Sequence, residues 1–392
     1  MELSRCFASQ KHQITCWNLP VGSLPGITSY GAYDMAGNVR EWCWNETQKG
    51  KLITGGAWND TTYMFWVCSQ APPFDRSSKN GFRCALYPDP EKIPESAFSL
   101  LEWGKTRDFY KEKPVPDSIF QVYKEQFSYD KTDLNARVES RHESSKEWIE
   151  ERITFDAAYG GERIISILFL PKNISPPYQT VIYFPGAQAL YRDSSKDLDS
   201  CNEFKVFLSF IVKNGRAALY PVCKGTMERR DAALAPIHEG ANSHLYTEYV
   251  IQLVKDFKRC IDYLETRQDI DSTKLAYYGM CWGAQLGAII PAVEEHLKAS
   301  VLLAGGLRGR SRPEADQINY VTQVKTPILM LNGRYDTFIP YETSIKPMFD
   351  LLGTPDEHKE LKLFETDHIP PRNKFIKETL AWLDRYLGPV NR

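Results

Sequence analysis

From residue 180 to the end of the chain, short apolar runs alternate with stretches whose apolar residues recur at helical spacing. TVIYFP, RAALYPV, LAYYG, ASVLLAG, TPILMLNG and LKLFET each read as a strand bounded by turn residues. CNEFKVFLSFIVKNG, EYVIQLVKDFKRCIDYLETR and NKFIKETLAWLDRYL read as the helices between or after them. A parallel neighbour can be reached only by a crossover that covers one face of the sheet, so this alternation predicts an α/β fold with a doubly wound, mostly parallel sheet. Ahead of it, FQVYKEQFSYD, ARVESRHESSKEWIEERITFDA and RIISILFLP predict strands of an antiparallel lead-in beginning at Phe120.

The first part of the chain has a different texture. Residues 1–88 are rich in Gly, Trp, Tyr, Asn and Asp and poor in helical periodicity, which predicts a small irregular module of loops and short strands. Residues 89–119, with YPDPEKIPESAF and KEKPVPDS, read as a proline-rich linker around one short helix, leaving 120–392 for the α/β domain. A chain of 392 residues suits more than one core. The formal net charge of -2 lacks the basic balance of a nucleic-acid binder. No apolar signal-peptide core opens the chain and no membrane-spanning run of about 18 apolar residues occurs, so a soluble cytoplasmic protein is expected. The nine cysteines are scattered singly, without the paired spacing of a disulfide scaffold or a structural zinc site. The oligomeric state is not legible.

One cysteine stands in a special setting. KLAYYGMCWGAQLGA runs from a strand through Gly279, Cys281 and Gly283 into a small-residue helix. Glycines two residues either side of a nucleophile permit a strained strand-to-helix turn that lifts its side chain above the sheet. An acid and a histidine follow in the required order, each just past a strand: Asp336 in ILMLNGRYDTFIP and His368 in LKLFETDHIPP. Of the seven histidines, at 12, 142, 238, 244, 296, 358 and 368, only His368 lies beyond the final strand. Asp336 has a second reading as the cap of a helix starting near Tyr341, and Asp367 is a lesser alternative acid.

In the catalytic reading, His368 takes the proton of Cys281, Asp336 orients the imidazole, and the thiolate attacks a carbonyl carbon to give an acyl-thioester that water hydrolyses. The backbone N–H of Trp282 is one expected oxyanion donor, and Ala187, beside Gly186 in FPGAQ, supplies the other. Gly186 also reads as a plain turn glycine. Lys224, Arg229 and Arg230, in the loop after RAALYPV, are either contacts for an anionic substrate or a solvated face.

With these residues in place, 120–392 resembles the α/β-hydrolase superfamily, in its dienelactone hydrolase and acetyl xylan esterase-like branch. The resemblance implies a carboxylic-ester or thioester hydrolase with a small-molecule substrate, the triad Cys281, Asp336 and His368, and no cofactor. Many esterase relatives place serine where Cys281 stands, so a binding or scaffold module that has lost turnover is the competing expectation. Residues 20–86 resemble the carboxyl-terminal part of the formylglycine-generating enzyme, or sulfatase-modifying factor, family through PVGSLPG, GAYDMAGNVREWCW, ITGGAW and NGFRCA. Asp60 and Phe65 stand where that family carries its copper-binding cysteines, so formylglycine formation is not expected. The resemblance implies a calcium site from the Asp34 and Glu41 side chains with the Gly37 and Val39 carbonyls. Fusions of the two modules resemble the tails of bacterial kinase-type signalling proteins, though no kinase motif is present.

Overall fold

Short strands and turns prevail among the described residues of the amino-terminal part, as its composition predicts. In the computed structural model, β1 (Arg40–Thr47), β2 (Gly50–Thr54) and β3 (Ser69–Ala71) pair antiparallel, while β4 (Asn80–Gly81) joins β1 in parallel. The described residues are 19–390, except 24–26, 30, 48–49, 59, 61, 66–67, 102–106 and 232–241; Cys6, His12, Cys16 and His238 lie outside them. The chain divides into two compact units, Met1–Lys105 with Tyr335–Phe338, and Thr106–Arg334 with Ile339–Arg392.

A buried ion pair ties the first sheet together. Arg40 on β1 donates to both oxygens of Asp60, at 2.6 and 2.8 Å, and Asp60 also accepts from the Ala57 N–H and from Lys79. Burial alone raises the Asp60 pKa, but the hydrogen bond and charge of Arg40, with help from Lys79 and Ala57, hold it below the ordinary carboxylate value. A folded pKa below the unfolded one means that this contribution is present above the ordinary value and is lost as pH falls through the lowered one. Replacing Arg40 by Met leaves buried Asp60 with only the longer Lys79 contact as its cation, so the first unit is expected to lose about 3 kcal/mol near neutral pH and to show a flatter acid limb. Urea unfolding followed by proteolysis of residues 19–101 at several pH values checks this; an unchanged midpoint would refute it.

The second unit is built on one nine-stranded sheet, ordered β13-β12-β11-β10-β8-β9-β7-β6-β5. Its strands are β5 (Arg137–His142), β6 (Trp148–Asp156), β7 (Arg163–Pro171), β8 (Tyr178–Phe184), β9 (Ala217–Val222), β10 (Ile270–Met280), β11 (Leu297–Leu303), β12 (Ile328–Gly333) and β13 (Lys359–Phe364). All pairings among β8 to β13 are parallel, and β5 to β7 form the expected antiparallel lead-in, joined to β9 by an antiparallel pairing of β7. Runs such as Val181–Phe184 and Leu275–Tyr278 are buried throughout, as strands covered on both faces must be. The outer strand β5 is largely exposed and carries Arg137, Glu139, Arg141 and His142, charges that blunt a sheet edge.

The lead-in starts later than the pattern suggested. Residues expected to open it as a strand form helix α1 (Asp117–Glu125), which follows Pro116 and carries Asp117 in its first turn. Phe120 is buried edge-on against Tyr320 at 5.8 Å, while Val122 is exposed. The apparent strand alternation therefore mixed one core residue with surface ones. Further on, α2 (Ser209–Asn214) ends on Gly215 in the left-handed region, and α3 (His244–Glu265) starts on Ser243, whose hydroxyl accepts the Tyr246 N–H. Helix α4 (Trp282–Leu286) follows β10, and α5 (Arg372–Leu387) closes the chain.

The strand order reverses at β8. Its successor β9 lies on one side, whereas β10 to β13 extend from the other. The carboxyl ends of β8 and β10 thus flank a topological switch point, where open α/β sheets leave a crevice for ligands.

Candidate active site

Cys281 is the single residue between β10 and α4, with φ 49° and ψ −101°. A side chain in this region costs about 1–3 kcal/mol and persists only when its surroundings enforce it. Here the Cys281 N–H donates to Leu303 O at 2.8 Å, its carbonyl accepts from Gln285 N–H at 3.0 Å, and Gly283 N–H donates to Pro185 O at 3.1 Å. The buried Tyr277 hydroxyl donates to Gly283 O at 2.5 Å. Close backbone approach explains both glycines: a Cβ on Gly279 would sit 2.6 Å from the Gly283 carbonyl, and one on Gly283 would sit 2.3 Å from Phe184 O. The GxCxG spacing therefore forms the tight elbow that its sequence announces.

The loop after β8 lies against this elbow. A Cβ on Gly186 would be 3.8 Å from the Cys281 Cβ and 2.7 Å from the Met280 sulfur, so Gly186 is a close-approach glycine as well as a turn residue. Ala187 opens the 3-10 turn Ala187–Leu190. Trp282 stacks its indole on Tyr249, at 6.5 Å and 11°, and meets Phe184 edge-on at 5.1 Å. Gly186 N–H donates to Glu203 at 3.0 Å, a residue the sequence reading passed over. The signal was present: Glu203 is an acid in the otherwise apolar face of CNEFKVFLSF.

Contacts continue from the elbow to the two later loops of the second unit. A Cβ on Gly305, after β11, would be 2.5 Å from the Ala284 Cβ, and the Asn332 amide donates to Gly305 O at 2.8 Å. Gly333 ends β12 so close to the Asp367 carbonyl that no Cβ fits between them. His368, just past β13, is 1% exposed, and Cys281 is 4% exposed. Asp336 lies three residues past β12, is buried, and accepts the Phe338 N–H at 2.8 Å. It does not cap the helical turn at Tyr341, whose capping position is Pro340. Asp367 has the Thr366 hydroxyl within 3.4 Å.

The three basic residues considered for substrate binding have internal partners instead. Lys224 pairs with Glu162 at 2.5 Å, Arg229 is buried against Asp256 and Tyr159, and Arg230 pairs with Asp193 at 2.6 Å. Arg229 thus neutralises a buried carboxylate, which neither a substrate contact nor a solvated face describes. A depression of about 250 Å³ lined by Lys124, Tyr129, Lys131, Lys258, Asp262 and His296 lies beside the amino end of β11, and several of its charges are spent on one another. It is not where the elbow is.

In the first unit, the residues suggested for calcium do not fit a cation. Both Glu41 oxygens are gripped by Arg83, at 2.5 to 3.0 Å, and Asp34 accepts the Gly22 N–H at 2.8 Å. Arg83 also donates to the Tyr33 carbonyl, so the Glu41 carboxylate already has a bidentate cationic partner. Gly37 donates its N–H to Gly55 O, and Val39 leads into β1. Among the described residues no group of three or more His, Cys, Asp and Glu could hold a metal. Chelation with EGTA is therefore expected to leave the melting temperature of the protein unchanged; a drop of several degrees, reversed by calcium, would reinstate the ion. Asp60 is committed to Arg40, and the Phe65 ring fills the space above Gly56.

A mostly parallel sheet carrying a strained elbow at its switch point defines the α/β-hydrolase class. Residues 204–368 match the Dienelactone hydrolase family, and residues 4–87 match the Sulfatase-modifying factor enzyme 1-like domain. The chain is thus similar to the first family within its second unit and to the other within its first unit. Among solved structures it is similar to the acetyl xylan esterase from Paenibacillus sp. R4, with 17% identity, 71% of this chain and 98% of that one covered, and a TM-score of 0.53. It is also similar to acetyl xylan esterase 1 from Thermoanaerobacterium sp. JW/SL YS485, at 13% identity, 70% and 96% coverage, and a TM-score of 0.54. At these identities the likeness is one of fold. No curated protein matches the chain. Among the described residues no helix is long and apolar enough to cross a membrane.

Proposed function

We propose that this protein hydrolyses a small carboxylic ester or thioester through Cys281, His368 and Asp336. The observation that carries the reading is the Cys281 backbone, strained at φ 49° and ψ −101° where β10 meets α4. A cysteine that only fills the core has no need of such a turn, whereas a nucleophile is held by it at the carboxyl edge of the sheet.

In this reading His368 accepts the thiol proton and Asp336 holds the imidazole in the productive tautomer. The thiolate sulfur bonds to the ester carbonyl carbon, and the negative oxygen that develops is held by the Trp282 and Ala187 N–H groups. Collapse expels the alcohol or thiol with the proton from His368 and leaves an acyl-thioester. Water, deprotonated by His368, attacks that thioester; the acid departs and the proton returns to the sulfur. The dienelactone hydrolase family match supports ester chemistry, and the names of the two structural relatives make acetyl esters the first substrates to try. The test is release of nitrophenol from p-nitrophenyl acetate by the wild type against Cys281→Ala.

A further inference from the structure

Glu203 immediately precedes the π-helical turn Phe204–Leu208, the kind of helix irregularity that often accompanies a functional site. It is 8% exposed, and its Oε1 accepts two hydrogen bonds, from Gly186 N–H and from the Tyr183 hydroxyl, both at 3.0 Å. Tyr183, Tyr220 and Tyr278 are all fully buried, the Tyr183 ring lying 5.5 Å from Tyr220 and 5.3 Å from Tyr278. Among the described residues no cation stands within ion-pair distance of Glu203. Arg192, which acts on it from farther away, donates to the Ser194 carbonyl and to Asp197. Burial raises the Glu203 pKa, opposed by the neutral donors Gly186 N–H and Tyr183 and by the more distant charge of Arg192. A buried acid without a cationic partner is costly for a fold, and a site in need of it is a physical reason for keeping it.

The geometry shows what it holds. Gly186 is fixed at both ends, its N–H by Glu203 and its carbonyl by the Ala189 N–H at 3.1 Å. In a trans peptide the C=O and the following N–H point in opposite directions. The Gly186 carbonyl, turned toward Ala189, therefore sets the direction of the Ala187 N–H, and all of this lies against the Cys281 Cβ. Because Gly186 N–H is engaged by Glu203, Ala187 N–H is the donor this loop has to offer an oxyanion.

We infer that Glu203 is a positioning residue, whose carboxylate, acting through Gly186 N–H, holds the Ala187 N–H in register with the Cys281 sulfur. The inference rests on the hydrolase reading for its catalytic consequence but not for the loop anchoring itself. Glu203→Gln keeps an acceptor oxygen and the side-chain shape, whereas Glu203→Ala removes the acceptor. In the full-length protein with p-nitrophenyl acetate, Glu203→Ala is expected to lower kcat about 30- to 100-fold with KM changed by less than about threefold, the cost of displacing a donor by roughly 1 Å. Glu203→Gln should restore kcat to within about fivefold of wild type, as an acceptor role requires.

Hydrogen exchange of peptides spanning residues 184–191 supplies a readout independent of turnover, faster in Glu203→Ala and unchanged in Glu203→Gln. Wild-type exchange in the Ala variant would overturn the inference, as would a Gln variant as impaired as the Ala one, which would make the charge, not the hydrogen bond, the active feature. If Cys281→Ala releases nitrophenol as fast as wild type, the hydrolase reading fails. The exchange result still decides the anchoring: faster exchange in the Ala variant upholds it, and unchanged exchange overturns it.

Discussion

Cys281→Ala is expected to lower kcat/KM for p-nitrophenyl acetate by about 10³-fold or more, close to 4 kcal/mol of transition-state stabilisation. Without the sulfur no acyl-enzyme can form, and only the oxyanion donors and substrate binding remain to assist water. Stability should change far less, by about 1 kcal/mol, because alanine leaves only a small cavity and keeps the same Cβ in the same strained backbone. Steady-state kinetics paired with urea midpoints separate the two effects. Equal, slow nitrophenol release by both proteins would refute a thiol nucleophile, and a large fall in midpoint would make the kinetic loss uninterpretable as chemistry.

Gly283→Ala is expected to be the most damaging single-methyl change in the elbow. Its Cβ would meet the Phe184 carbonyl oxygen at 2.3 Å and the Phe184 carbonyl carbon at 2.8 Å. Both atoms belong to β8 in the centre of the sheet, so neither can swing aside as a side chain would. Overpacking of this kind costs about 1–3 kcal/mol and sometimes more, and here it would also push α4 away from β8 and carry Trp282 N–H with it. A lower urea midpoint at unchanged m-value, together with lost ester turnover, is the expected result. Gly186→Ala makes the useful contrast. Its nearest neighbour is the Met280 sulfur at 2.7 Å, which belongs to a flexible side chain, so activity should suffer more than stability. If Gly283→Ala keeps wild-type stability, the close approach of α4 to β8 is wrong.

Much of the second unit was legible because its signals are local. A parallel strand buried on both faces is a short apolar run, and each of the six runs from TVIYFP to LKLFET became a strand, the last of them at the half-buried edge of the sheet. The elbow was legible for the same reason, since the two glycines and Cys281 fall within five residues. FQVYKEQF misled because Phe120, Val122 and Tyr123 satisfy both periods over so short a span; burial of Phe120 against Tyr320, two hundred residues away, selected the helix. The loop cations Lys224, Arg229 and Arg230 were ambiguous for a related reason. Charge is visible in a sequence, but the carboxylates that neutralise it, Glu162, Asp256 and Asp193, come from three separate parts of the chain.

The order of elements, the nature of the elbow residue and the sequence of acid and histidine after it are properties of the linear chain, because periodicity and glycine spacing act over a few residues. Whether Gly186 approaches Cys281, that Glu203 reaches back to hold it, and that Arg83 occupies Glu41 across 42 positions were decided only by the fold. Those pairings join groups distant along the chain, and a hydrogen bond or ion pair of that kind leaves no periodic trace in the residues that lie between its partners.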